Sequence, residues 1–220
     1  MIGFLFAGIS GLLGLSAYLG GGASWTWFWP SLSFGVVGLA YLGAGSRPFG
    51  KTEEGRLSWI SKGILAPYLA LVWGLWHAVR RVRRGPAYAI LTENLWIGRR
   101  LLGSELPEEI RTVVDLTCEL ELSPPSRRVV YRTFPILDAS APTPEQLWRW
   151  VQEITSLEGP VYLHCAEGHG RTGLVASALL LQQGLAENAE SALSKVQSVR
   201  PRVRLSGRQL RVLKEMSQFV

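Results

Sequence analysis

His164-Cys165-Ala166-Glu167-Gly168-His169-Gly170-Arg171-Thr172-Gly173 is the stretch that tells most about this 220-residue chain. It follows the apolar run Pro160-Val161-Tyr162-Leu163 and leads into Leu174-Val175-Ala176-Ser177-Ala178-Leu179-Leu180-Leu181, which reads as a helix. A strand, a glycine-rich turn and a helix N-terminus form a ready anion site. The turn's N–H groups face inward, and the helix dipole adds partial positive charge. The field that holds an oxyanion also favours the thiolate of Cys165. Arg171 can close the loop as a bidentate clamp on two oxygens. Gly168 and Gly170 let backbone pass close to the anion, and Ala166, Glu167 and His169 complete the cradle. A cysteine with an arginine six positions on would mean little alone; the strand before and the helix after give it weight. Nucleophile, cradle and clamp within one turn of chain read as a phosphoryl-transfer site.

The pattern His-Cys-x5-Arg-Thr-Gly resembles the signature of the cysteine-dependent protein tyrosine phosphatase superfamily. Residues 86–220 as a whole resemble its compact dual-specificity branch. The resemblance implies that Cys165 attacks phosphorus to form a phosphocysteine, which water then hydrolyses. It implies that the amides of residues 166–170 and Arg171 hold the phosphate, that His164 orients the loop, and that Thr172 donates a hydrogen bond to the sulfur. Neither a metal nor a cofactor is implied.

A leaving oxygen needs a proton, so a carboxylic acid must come from elsewhere in the chain. Asp138, in Phe134-Pro135-Ile136-Leu137-Asp138-Ala139-Ser140-Ala141-Pro142-Thr143, stands after a strand and before a capped helix. A loop so placed can hang over the pocket, and it resembles the general-acid loop of dual-specificity phosphatases. Asp115, at the end of another strand, is the runner-up. Cys118 lies near the same sheet edge. Some relatives protect their nucleophile through a disulfide with a cysteine in this neighbourhood, and a bystander thiol is the other reading.

The run Val199-Arg200-Pro201-Arg202-Val203-Arg204-Leu205-Ser206-Gly207-Arg208-Gln209-Leu210 is similar to the end of the phosphatidylglycerophosphate phosphatase branch, which acts on a membrane lipid. Phosphoinositide-directed members of the superfamily tend to carry lysine after the cysteine and before the last loop glycine. Here those positions are Ala166 and His169, and Glu167 adds a negative charge, so an inositol polyphosphate fits poorly. A lipid phosphomonoester or a phosphoprotein remains as substrate. A membrane-tethered protein phosphatase and a non-catalytic phosphate-binding module are the alternatives, and intact Cys165, Arg171 and Asp138 argue against the second.

Residues 1–46 carry no charged side chain. Met1 to Leu19 and Phe28 to Ala44 are two apolar runs near the length needed to cross a bilayer. Trp25, Trp27 and Trp29 lie between them, where an aromatic belt would sit. A second run so soon after the first, with no basic stretch ahead of it, favours a membrane hairpin over a cleaved signal peptide. A third run, Leu57 to Val82, contains Lys62 and Pro67 and ends in Arg80-Arg81-Val82-Arg83-Arg84. Spanning would separate that cluster from Arg47, Lys51 and Arg56, against the positive-inside rule. A helix lying in the interface keeps both clusters on the cytoplasmic face, against anionic lipid.

The formal net charge of +6 is concentrated in such clusters. No stacking aromatics are interleaved with the basic C-terminal stretch, which argues against nucleic acid and for an anionic membrane surface. Two cysteines exclude a disulfide scaffold.

The catalytic part reads as strands at 87–91, 95–97, 111–116, 129–134 and 161–163, with a brief helix at 106–110. Helices are expected from Thr143 to about Leu157, at about 171–183 and 188–198, and from Ser206 onward, where Ser206 and Gln209 make a capping box. The expected fold is α/β, with a central, mainly parallel sheet flanked by helices on both faces. Ahead of it stand two spanning helices (residues 1–46) and a basic loop with a third apolar helix, interfacial by preference or a third span (residues 47–85). The expected setting is multi-pass in the cytoplasmic membrane, with residues 86–220 facing the cytoplasm.

Overall fold

Val161-Tyr162-Leu163-His164-Cys165 is buried at every position, as a strand in the middle of a sheet must be. In the computed structural model, which describes residues 1–123 and 128–219, it is the central strand of five. Val220, the last residue of the expected catalytic segment, lies outside the described residues. The strands are β1 (Tyr88–Thr92), β2 (Leu95–Arg99), β3 (Thr112–Thr117), β4 (Val130–Ile136) and β5 (Val161–Cys165), in the order β1-β2-β5-β3-β4. β2, β5, β3 and β4 run parallel, and β1 joins β2 as an antiparallel hairpin.

Alternation along the strands sorts side chains to two faces. Ile97, Val114, Leu116, Leu163 and Cys165 belong to the main core. That core is closed by α4 (Pro144–Thr155), α5 (Gly170–Gln182), α6 (Ala189–Val199) and α7 (Gly207–Met216). Val113 and Tyr162 face the other way and pack with Leu101 and Ile110. The expectation of helices on both faces is therefore corrected: the buried residues of all four helices lie in one cluster, and the chain between β2 and β3 lines the second face. That chain also lacks the expected helix at 106–110. It makes a 3-10 turn at Gly103–Glu105 and a single turn closed by Ile110 N–H on the Pro107 carbonyl, 3.2 Å away. Ile110, fully buried, is drawn into the core.

The chain divides into two compact units. One holds most of residues 85–220; the other holds Met1–Thr52, Arg56–Arg84 and, from much later in the sequence, Cys118–Glu121. The second unit contains α1 (Ile2–Gly20), α2 (Phe28–Leu39, followed by a π turn at Ala40–Ala44) and α3 (Trp59–Val82).

Small residues let α1 and α2 approach closely. A Cβ on Gly38 would meet the Ala7 backbone nitrogen at 3.2 Å, and one on Gly35 would meet Ser10 Oγ at 2.9 Å. Ser10 Oγ donates to the Ser31 carbonyl (2.7 Å), and Ser31 Oγ donates to the Ser10 carbonyl (2.8 Å). Phe4, Leu5, Leu12, Leu15 and Leu19 are exposed on the outside. The seam between α1 and α2 is thus polar and close-packed, and the outer face of α1 is apolar. Among the described residues one helix, α1, is long and apolar enough to cross a membrane. Its 19 residues rise about 28 Å. The second run does not form one helix of the expected length: α2 has 12 residues and widens into a π turn within which Gly43 has a φ of 158°.

In α3, Pro67 cannot donate to the Gly63 carbonyl. Trp29 supplies the missing donor: its indole N–H reaches that carbonyl at 2.9 Å, while Tyr68 N–H also donates to Ser33 Oγ at 3.3 Å. The segment Cys118–Glu121 is held within the same unit. Lys51 Nζ donates to the Leu120 carbonyl (2.6 Å), Trp73 Nε1 to the Glu119 carbonyl (2.9 Å), and Lys62 pairs with Glu121 at 2.7 Å.

Trp29→Phe should therefore destabilise this unit by about 1 kcal/mol, the order of cost of an orphaned carbonyl. In a Pro67→Ala background, where the helix supplies its own donor, the same change should cost much less. A double-mutant cycle of unfolding in detergent checks this, and additive effects would refute the link between Trp29 and Pro67.

Candidate active site

β5 delivers Cys165 to the carboxyl edge of the sheet, and α5 begins at Gly170, so residues 166–169 form the connecting loop. The loop is pinned from outside. Arg100 N–H donates to the Ala166 carbonyl at 3.2 Å. Arg200, buried, donates through Nε to the Gly168 carbonyl at 2.7 Å and through Nη2 to the Glu167 carbonyl at 3.2 Å. In a planar trans peptide, N–H points opposite to C=O. Three carbonyls held outward turn the N–H groups of Glu167, Gly168 and His169 to the concave side. Gly168 N–H indeed donates to Cys165 Sγ at 3.2 Å. Gly168 has a φ of 69°, and a Cβ there would run into the Gly98 carbonyl of β2, so only glycine fits.

Arg171, 2% exposed, emerges from the first turn of α5. Its Nη1 donates to the Ile136 carbonyl at 3.0 Å, and its Nη2 lies 3.3 Å from Asp138 Oδ1. The expected clamp and the expected acid are thus adjacent, although 33 residues of chain separate them. The Asp138 side chain is 73% exposed, open to solvent. Asp115, the runner-up, is completely buried. Its Oδ1 accepts from Thr117 N–H and Oγ1, both at 2.7 Å, and its Oδ2 accepts from Tyr131 OH at 2.7 Å. Burial, reinforced by the Asp115 carboxylate, pushes the Tyr131 phenol well above its ordinary range, so Tyr131 stays a neutral donor. A carboxylate so enclosed has no route to a leaving group.

His164 is buried, with Nδ1 3.2 Å from the Cys165 carbonyl and 3.9 Å from Asp115 Oδ1, and its ring stacks on Tyr162. It braces the chain entering the loop. Thr172 departs from expectation. Its hydroxyl is buried without a hydrogen-bond partner among the described residues, so the bond to the sulfur is not formed in this conformation. Neither cysteine is in a disulfide; Cys118 belongs to the N-terminal unit, where its thiol donates to Glu119 Oε2 at 3.4 Å. Among the described residues no cluster of His, Cys, Asp and Glu could hold a metal ion.

Arg200 is the residue that sequence reasoning misses. Charge patterning places it in a basic C-terminal stretch, whereas the structure buries it behind the loop. Its one local signal is its position at the end of α6, directly before Pro201, where the chain must turn back.

Comparison with known proteins agrees with this geometry. Residues 104–185 match the family Tc-R-P, described as "Polymorphic toxin system, DSP-PTPase phosphatase". No curated protein matches the chain. Among solved structures, Tk-PTP in its active form is 29% identical, with a TM-score of 0.54 over 62% of this chain and all of its own. PTPMT1 in complex with PI(5)P (21% identity, TM-score 0.53, 61% of this chain and 96% of its own) and human DUSP28 (15%, 0.51, 62% and 96%) share the fold. With a thiol in an amide-lined loop and an arginine over it, the part of the chain that carries these likenesses is related to the cysteine-dependent dual-specificity phosphatases, and the protein is a phosphoric monoester hydrolase.

Proposed function

We propose that the protein is a membrane-anchored phosphatase that hydrolyses a lipid phosphomonoester, such as phosphatidylglycerophosphate, at the cytoplasmic face. The chemistry rests on one observation: the outward pinning of the loop carbonyls, which leaves an amide cradle around Cys165 Sγ. The thiolate attacks phosphorus in line, and the bond to the ester oxygen breaks. Asp138 gives that oxygen its proton. Water then attacks the phosphocysteine, Asp138 takes its proton, and the P–S bond opens to return the thiolate. Charge on the equatorial oxygens is met by the loop amides and Arg171, whose second nitrogen the Ile136 carbonyl holds in place. The buried hydroxyl of Thr172 is available to donate to the departing sulfur.

On this assignment Cys165→Ser, which leaves a protonated hydroxyl, abolishes steady-state turnover. Asp138→Asn lowers kcat for alkyl phosphates by roughly 10²–10⁴, and by less for aryl phosphates of low phenol pKa. Kinetics across a series of leaving groups check both. Asp115→Asn producing that dependence in place of Asp138→Asn would refute the acid assignment.

The membrane reading is supported by the seam between α1 and α2 and by the apolar outer faces of α1 and α3. A signal sequence could share the build of α1, but the reciprocal Ser10–Ser31 bonds favour a helix retained in the folded protein. We take α1 and the α2 segment as a hairpin with the N-terminus inside, and α3 as the interfacial helix. Protease should then digest residues 86–220 in inverted vesicles and spare them in right-side-out ones. Digestion from the outer face would make α3 a third span.

Substrate class follows from the anchor, from the basic cluster Arg80–Arg84 and from the exposed Arg202, Arg204, Arg208 and Arg211, which favour an anionic surface. The loop, with Ala166, Glu167 and His169 at its rim, suits a single phosphate better than a polyphosphorylated ring. Truncation is a poor test, because the bonds from Lys51, Lys62 and Trp73 to Cys118–Glu121 would be lost with the anchor. The intact chain in nanodiscs should instead turn over phosphatidylglycerophosphate with a kcat/KM at least about 10²-fold above that for a soluble phosphotyrosyl peptide, the gain co-localisation gives. Strong peptide turnover with no lipid activity would leave a tethered protein phosphatase as the answer.

A further inference from the structure

The turn that presents Asp138 is closed by Ser140 N–H on the Leu137 carbonyl at 3.1 Å, and between them Ala139 has a φ of 55°. A residue with a Cβ enters that region unwillingly, so the turn needs an external hold. Gln209, 2% exposed on the first turn of α7, donates from Nε2 to the Ser140 carbonyl at 2.9 Å. Its Oε1 accepts from Ser206 N–H at 3.0 Å, while Ser206 Oγ accepts from Gln209 N–H at 3.2 Å. This reciprocal cap fixes the amide's rotamer and orientation. A Cβ on Gly170 would stand 3.1 Å from Gln209 Oε1, so the same amide lies against the first residue of α5, the helix that carries Arg171.

We propose that Gln209 is a positioning residue for the general acid: it clamps the strained turn so that Asp138 stays beside Arg171. The proposal rests on Asp138 being the proton donor. Gln209 touches neither phosphate nor nucleophile. Its loss releases the Ser140 carbonyl, lets Ala139 relax to negative φ, and carries Asp138 away from the leaving oxygen. The phosphate cradle, pinned by Arg100 N–H and Arg200, is left as it was.

The test uses the full-length protein and two variants. Gln209→Met removes both bonds. Gln209→Glu keeps the side-chain volume and the acceptor for Ser206 N–H but loses the donor to Ser140. Each is measured on phenyl phosphate, on an aryl phosphate of low phenol pKa, and for inhibition by vanadate, with Asp138→Asn alongside and thermal melting to confirm folding. The clamp predicts a fall of about 10- to 30-fold in kcat on phenyl phosphate, a share of what a positioned acid contributes. It predicts a clearly smaller fall on the activated ester, an unchanged vanadate inhibition constant, and no further loss when Gln209→Met is added to Asp138→Asn. If Asp138→Asn itself shows no dependence on leaving group, the acid assignment fails and the clamp falls with it. If Asp138→Asn shows that dependence and neither Gln209 variant does, the assignment stands and the clamp alone is overturned. Equal losses on both esters with weakened vanadate binding would also overturn it, leaving Gln209 a general support of the fold.

Discussion

Peptide planarity is the constraint on which the site depends. A loop of four residues cannot choose the direction of its N–H groups freely; each is tied to the carbonyl of the preceding residue. Fixing the carbonyls of Ala166, Glu167 and Gly168 outward is therefore equivalent to aiming three donors inward. The fixing is done by groups with no contact to substrate: the N–H of Arg100, which continues the β2–β5 ladder past Arg99 and Cys165, and the guanidinium of Arg200. Close approach of Gly168 to Gly98 follows from the same register. A Cβ on Gly168 would run into the Gly98 carbonyl and push the loop off β2.

The two acidic candidates show how environment assigns roles to like side chains. Asp115 and Asp138 both stand near the carboxyl ends of parallel strands, and by sequence either could face the pocket. Asp115 sits at a position of β3 that alternation turns toward Tyr131 and His164, where three strong donors satisfy it in a water-free setting. It stiffens the sheet edge that carries His164 into the loop. Asp138 follows the end of β4, where the chain has left the sheet, and its side chain is largely exposed. Burial, rather than residue type, separates structure from chemistry here.

Much of this was legible because local signals and tertiary demand agree. The strand-turn-helix around Cys165, the cap at Thr143 and the capping box at Ser206 each depend on residues a few positions apart, and each formed as read. What stayed hidden depends on distant partners. Nothing near Arg200 says that its guanidinium turns inward to two carbonyls more than thirty residues away. Nothing near Gln209 announces Ser140, since its capping role explains it fully at short range. The helix expected at 106–110 failed for the converse reason: its local pattern was apolar enough, but Ile110 was needed in the core with Tyr162, and the chain makes only the single turn closed on the Pro107 carbonyl.

The N-terminal unit obeys the same accounting. A proline inside a helix leaves one carbonyl without its intrahelical donor, and a neighbour can supply the replacement. Trp29 and Ser33 do this for α3, and both come from α2, a helix too short at about 18 Å to cross a bilayer core alone. The brevity of α2 and the proline in α3 are thus complementary: each helix is incomplete by itself, and the pair satisfies what each leaves open. The serines that join α1 to α2 act alike, since each hydroxyl returns the bond it takes. A segment built from such mutual completion is expected to fold as one body, and its grip on Cys118–Glu121 then fixes one loop of the later chain to the same body. That loop leaves β3 immediately after Thr117, the residue that donates twice to Asp115.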